Sequence, residues 1–251
     1  MVNGRDNLGI VLASLLLAIG LVVAALVVIR GFERVRGMEA SVLDVTGSAD
    51  RVVTSDQVKW VGGFSRRVDS TSLDEGYRRM SDDLDEVLDV LADDGFDRDD
   101  LTIRPVTVNG VYRECFDAGP DCVREVIAYE LEQWFTLSSD QVDTVTQLAQ
   151  DAQPFVDAGL NYQTISLEYF YSELAAARPE LLAEAIRDAQ LRAEAIASAT
   201  GSRVGHLRSA DSGVFQVTQL NSTEVSSFGM YDTSTIEKRI TAVVHASFAL
   251  R

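Results

Sequence analysis

Residues 8–29 read LGIVLASLLLAIGLVVAALVVI, 22 positions without one charged side chain, with Asp6 upstream and Arg30 at the far end. As a helix this run is about 33 Å long, against a bilayer hydrocarbon core of about 30 Å. A helix packed on the outside of a soluble core keeps one polar face, and here only Ser14 is polar. A secretory signal has an apolar stretch of about 7–15 residues followed by a small-residue cleavage site. This run is longer and passes through Val27, Val28 and Ile29 into Arg30-Gly31-Phe32. The expectation is a retained transmembrane anchor, Leu8 to Ile29, in a 1–30 N-terminal segment. A juxtamembrane linker follows over 31–39 (GFERVRGME), then a folded domain over 40–251.

Two signals compete over which side of the membrane that domain occupies. Arg30, Arg34 and Arg36 follow the run, whereas only Arg5 precedes it. By the positive-inside rule this favours a cytoplasmic domain. The cysteines point the other way. Cys115 and Cys122 are the only two, and they flank Phe-Asp-Ala-Gly-Pro-Asp, in which Gly119-Pro120 signals a turn. Redox pairs favour C-x-x-C spacing, and metal sites need further ligands nearby, which the sequence lacks. A structural disulfide across a hairpin is the favoured reading. It would contribute about 2–3 kcal/mol and require an oxidising compartment.

The formal net charge is −17, with two lysines, Lys59 and Lys238, among 22 basic residues. Such a surface repels polyanions, so nucleic-acid binding is not expected.

From Ser41 the pattern becomes strand-like. Val42-Leu43-Asp44-Val45 leads to Val52-Val53, and Val58, Trp60, Gly62 and Phe64 then alternate with Lys59, Val61, Gly63 and Ser65. The glycines mark a bulge or a close approach. Ser72-Leu73-Asp74-Glu75 has capping-box form and opens a helix. Its apolar face carries Leu73, Tyr77, Met80, Leu84, Val87, Leu88 and Leu91. Its opposite face carries Arg78, Arg79, Asp82, Asp83, Asp85, Glu86 and Asp89, and Gly95 ends it. An extended segment covers Leu101 to Tyr112, and a long half-buried strand carries Ile127, Tyr129, Leu131, Gln133, Phe135 and Leu137. A helix is expected from Ser138 or Ser139, with Val142, Val145, Leu148 and Ala152 on one face. A strand through Ile165 to Tyr171 comes next. A further helix starts around Pro179, with Ala185, Ala189, Ala193 and Ala197 on a small-residue face that lets it lie close on a sheet. Val204–Ala210 and Val214–Leu220 read as strands, 221–235 as a loop, and Ile240 to Leu250 as a closing strand. The fold class is α+β: mainly antiparallel sheets packed by amphipathic helices, preceded by one transmembrane helix.

In order and spacing the domain resembles the SIMPL-domain family over about residues 40–251. Val45-Thr46-Gly47-Ser48-Ala49 and the Val58 to Phe64 strand carry the resemblance first. Gly95-Phe96-Asp97-Arg98-Asp99-Asp100-Leu101-Thr102-Ile103 then forms a turn into a strand. The alanine-rich Ala183–Ala199 helix, with Asp188-Ala189 and Arg192-Ala193-Glu194, and Gly201-Ser202-Arg203-Val204-Gly205 complete it. The resemblance implies an exported bacterial envelope protein of undefined activity, some of whose relatives assemble into rings or channels. It supplies no catalytic residues. The resulting expectation is a single-pass inner-membrane protein with its C-terminal domain in the periplasm or outside the cell. It is expected to form homo-oligomers, to have no enzymatic activity, cofactor or metal, and to play a structural or stress-protective role. The alternative is a binding module for a small ligand or a membrane-protein partner.

Candidate chemistry is thin. His206 and His245 are the only histidines, without a carboxylate partner at fixed spacing, and both read as surface or satisfied-core residues. Asp93-Asp94 and Asp97-Asp99-Asp100 lack the order of a calcium loop and read as a solvated turn. No hydrolase, zincin, phosphate-loop or dinucleotide motif occurs. Trp60, Trp134, Phe135, Tyr162, Tyr169, Phe170 and Tyr171 are candidates for core or subunit contacts. In Tyr169-Phe170-Tyr171 the side chains alternate faces, so either one face meets another subunit or a helix covers each face.

Overall fold

A computed structural model describes Gly20, Ala24, Ala25, Leu26, Val28 and residues 42–113, 125–224 and 226–251. The five isolated N-terminal positions are helical and exposed. Most of the Leu8 to Ile29 run, the 31–39 linker and the Cys115/Cys122 pair lie outside the described residues. Among the described residues, no helix is long and apolar enough to cross a membrane.

In chain order the elements are β1 (Val42–Thr54), β2 (Gln57–Asp69), α1 (Leu73–Asp93), a 3-10 turn (Arg98–Asp100), β3 (Leu101–Ile103) and β4 (Thr107–Tyr112). Next come β5 (Val126–Ser139), α2 (Val142–Gln150), α3 (Gln153–Asp157) and β6 (Asn161–Phe170). The chain finishes with α4 (Leu174–Ala199), β7 (Val204–Ser212), β8 (Gln216–Gln219), β9 (Met230–Tyr231) and β10 (Glu237–Leu250). The architecture is α+β with sheets that are antiparallel except for the short β8–β9 pair. The chain divides into two compact units, one of residues 1–49, 182–213 and 242–251, the other of 50–181 and 214–241.

In the first unit, β1 lies beside β10, and β7 pairs antiparallel with β10 from Val244↔Ser212 to Leu250↔Val204. Helix α4 covers one face of these strands. Its inward residues Ala185, Ala189, Ala193 and Ala197 recur every fourth position and are buried. Opposite them, a Cβ built at Gly47 would stand 2.1 Å from the Ala185 carbonyl oxygen and 2.5 Å from the Ala189 nitrogen. Backbone meets backbone here, which only a glycine against an alanine ridge allows. Val45, Ala246 and Phe248 complete the small core.

In the second unit, β2 is central, paired with β5 from Val58↔Ser139 to Asp69↔Ala128 and with β6 from Gln57↔Phe170 to Ser65↔Asn161. β3 and β4 both pair with β5, giving the order β3-β5-β2-β6. Helices α1, α2 and α3 pack on one face of this sheet over a single core. At the centre of that core Trp60 meets Phe135 edge-on at 5.3 Å, while Phe155 stacks on Tyr162 at 4.0 Å. Burial pushes the Tyr162 phenol up to about 12.

Several local expectations are corrected. Ser72 makes no side-chain cap bond at the start of α1; its carbonyl accepts from the Gly76 N–H at 3.0 Å instead. Asp83 does not face solvent. It sits in the buried row of α1 with Gly76, Met80, Val87 and Leu91, where it is bidentate to Arg66, with Arg66 Nε donating to Oδ2 at 2.7 Å. The residue that draws it inward lies on β2, out of reach of a helical-spacing argument. The second helix begins at Val142 because Ser138 and Ser139 extend β5, and Ala152 is exposed beyond its end. Phe155 reaches the core from α3, with Pro154 in its first turn. Pro179 lies inside α4, which starts at Leu174. The 221–235 segment contains β9.

Candidate functional site

The Gly62-Gly63 pair of β2 shapes both faces of the larger sheet. A Cβ at Gly62 would come within 2.3 Å of Phe135 Cζ on the core face. One at Gly63 would come within 2.7 Å of Trp134 Cδ1 on the opposite face. Each missing side chain lets an aromatic ring of β5 lie across β2. A register shift between Val61 and Gly62 on the β6 side adds the bulge that glycines in a strand signal. On the face away from the helices, Trp134 is half-buried and its indole N–H has no partner among the described residues. The Arg104 guanidinium approaches its ring at 5.7 Å from the centroid, and the Arg104 N–H donates to the Trp134 carbonyl at 2.9 Å. Exposed Ile165 stands beside Gly63. Glu132, Thr136 and Gln163 are neighbours in register on the same face, and their side chains make no hydrogen bond among the described residues.

A second polar centre lies in the same unit, between β9 and β10. Lys238 is fully buried. Its Nζ donates to the Asp232 carbonyl at 2.7 Å, to the Thr235 carbonyl at 2.5 Å and to Asp232 Oδ2 at 3.4 Å. Three acceptors match the three donors of an ammonium group. Burial still pulls the Lys238 pKa down, opposed by the Asp232 charge. Burial raises that of Asp232, but donors from Thr235 and Ser234, with the Lys238 charge, outweigh it and hold the carboxyl below the usual range. This clasp fixes one wall of an open cavity of about 370 Å3, lined by Thr218, Gln219, Asn221, Ser222, Glu224 and Met230 among others. The polar lining is hydroxyl, amide and carboxylate, with the Met230 thioether beside it and no basic group.

In the first unit, the face of the sheet away from α4 carries a polar row. Thr46 Oγ1 and His245 Nδ1 are 2.9 Å apart, and Asp211 is the register partner of His245 on β7. Ser247 donates to Asp44 alongside. These residues line a shallow depression of about 210 Å3.

Of the residues singled out from sequence, Trp60, Phe135 and Tyr169 are core residues, and Tyr162 packs against them. Phe170 stacks on Tyr231 at 6.2 Å, and the Tyr171 N–H donates to the Tyr231 hydroxyl at 3.0 Å. The chain's own β9, a strand and not the expected helix, therefore covers the outward side of that aromatic triplet. His206 is exposed, and His245 is exposed with Thr46 as partner. The acidic turn closes on itself, with the Asp97 N–H donating to the Asp100 carboxylate at 2.8 Å. Among the described residues no group of three or more His, Cys, Asp or Glu side chains is placed to hold a metal ion. Sequence reading missed the buried Lys238. Its signal was the scarcity of lysine in a chain whose other cations, Lys59 apart, are arginines.

A sequence model of the SIMPL family, described as a protein of unknown function (DUF541), matches residues 43–248. No curated protein matches the chain.

Proposed function

This chain belongs to the SIMPL family, and we propose that it is a non-enzymatic, membrane-anchored cell-envelope protein that self-assembles and has a structural or stress-protective role. The observation that carries assembly is the state of the two strands flanking β10 in the first unit. On β1, the Ser48 N–H donates to the Asp188 carboxylate of α4 at 2.8 Å, so the chain's own helix occupies a donor of that strand. From His206 to Ser212 every residue of β7 is exposed, and among the described residues β7 pairs only with β10. A nine-residue strand with an open ladder and no proline is a template for another strand. The Leu8 to Ile29 run supports the anchor, and a Cys115–Cys122 bridge would support a domain outside the cytoplasm. The test of assembly is light scattering of the full chain in detergent. A mass of several chains per particle is expected. A monomer at every concentration overturns the assembly.

A second reading, a binding module for a polar small ligand or a protein partner, is favoured by the cavity beside Lys238 and by Phe228. Phe228 is 94% exposed at the tip of a serine-rich turn that closes on Gly229, at φ +84°. Thermal shift of the full chain against neutral and cationic polar metabolites separates the readings: a shift without change of mass favours the module.

A further inference from the structure

We propose that Asn221 is the acceptor of an N-linked glycan. Asn221-Ser222-Thr223 has the order Asn, any residue but proline, then serine or threonine, which oligosaccharide transferases recognise. Of the five asparagines in the chain, Asn221 alone stands in that order. The fold supplies what the order by itself does not. Asn109 lies within β4, and Asn161 opens β6 with its amide donating to Ser65 Oγ at 2.7 Å. Asn221 instead follows the end of β8, in a tight turn closed by the Ser222 N–H donating to the Gln219 carbonyl at 3.2 Å. Asn221 and Thr223 are exposed. Ser222 is half-buried, and its hydroxyl accepts from the Glu224 N–H at 3.2 Å. The middle residue is thus tied within the turn, while the amide and the hydroxyl on either side make no hydrogen bond among the described residues. These are the two groups the modification needs, the amide as acceptor and the hydroxyl as the feature read beside it.

The surroundings have room for the product. Asn221 lines the open cavity of about 370 Å3 beside the Lys238 clasp, and a second of about 500 Å3 formed with Thr146, Gln150, Tyr169 and Ile236. Thr218, Gln219 and Glu224 bring hydroxyl, amide and carboxylate groups to the first cavity, the kinds of group that meet sugar hydroxyls. A sugar on Asn221 therefore leaves the turn over polar surface. The bond chemistry is a substitution without redox change. Nδ2 of Asn221 bonds to the anomeric carbon of an oligosaccharide carried on a lipid phosphate. The bond from that carbon to the phosphate oxygen breaks, the lipid phosphate leaves with the electron pair, and the amide gives up one proton. Such transfer takes place on the outer face of the membrane, so the inference rests on the reading that the domain lies outside the cytoplasm. It does not depend on self-assembly.

The test is peptide mass spectrometry of the full chain purified from the membranes of the cells it comes from. Trypsin cuts after Arg208 and Lys238 and nowhere between, so peptide 209–238 carries the whole motif. The peptide is expected to carry a mass increment of hexoses or related sugars, located on Asn221 by fragmentation. Asn221→Gln and Thr223→Ala should each lose the increment, and Thr223→Ser should keep it. All three variants alter exposed side chains without partners among the described residues, so folding is preserved. In the same cells, labelling of Cys115 and Cys122 by an impermeant maleimide after an impermeant reductant reads the side of the membrane. An unmodified Asn221 in a domain that labels from outside overturns the inference and leaves the topology standing. An unmodified Asn221 in a domain that labels only after permeabilisation overturns both. An increment on Ser222 or Thr223, or one that survives Thr223→Ala, also overturns the inference.

Discussion

At the scale of single residues, Lys238 shows how a buried charge is tolerated when all its donors are used. Its ammonium ties two carbonyls and a carboxylate of the 232–235 turn, so its loss strands acceptors already removed from water. Lys238→Met should therefore lower stability by about 3 kcal/mol, read as a lower midpoint in urea unfolding. Asp232 carries a pH signature. Its folded pKa lies below the unfolded value of about 4, so its contribution is complete above that pH and is lost as pH falls through the folded value. Comparing the native chain with Asp232→Asn across pH, the stability difference should be level from about pH 5 to 7 and shrink below about pH 4. A difference that grows on acidification would contradict this assignment. Nothing local in sequence marks either residue. Lys238 falls just before the Ile240 to Leu250 strand that the pattern marks, and its acceptors come from the 232–235 turn, whose fold the pattern does not specify.

Elements show where periodicity suffices. The alanine ridge of α4 and the glycine of β1 are visible as patterns, and their pairing explains both. Gly47→Ala forces a methyl against helix backbone rather than against a side chain that can move. It should cost about 3 kcal/mol, the top of the usual overpacking range, measurable by chemical unfolding. Asp188 takes the Ser48 N–H and also holds Arg192 at 2.8 Å, so one carboxylate locks the helix to β1. β7 presents the contrasting case. Leu207→Lys with Ala210→Lys places charges along its open side, a device by which edge strands resist pairing. The expected outcome is a smaller particle by light scattering at an unchanged unfolding midpoint. Boundaries were the least legible part of the elements. β5 runs to Ser139 and α4 starts before Pro179 because strand pairing with Val58 and a longer helical turn override the local start signals.

For the whole molecule, topology and assembly both have direct readouts. An impermeant maleimide applied to intact cells should label Cys115 and Cys122 only after an impermeant reductant, if the domain lies outside the cytoplasm as a disulfide. Labelling that requires permeabilisation would place the domain inside, in agreement with the arginines after residue 29. The α+β class and the two central helix faces were readable because hydrophobic periodicity is a local property that burial merely realises. The glycine pair of β2 was also readable as a place of close approach. What approaches it was not: Phe135 and Trp134 lie more than seventy positions away, brought there by antiparallel register. The same holds for Arg66 with Asp83, Thr46 with His245 and the turn around Lys238. Local patterning determines which elements form and which of their faces turn inward, since both follow from 3.6- and 2-residue periods. Which polar side chains become partners, and which sheet face and which strand edge stay open, depends on register and topology. Those arise only when distant segments pair in space.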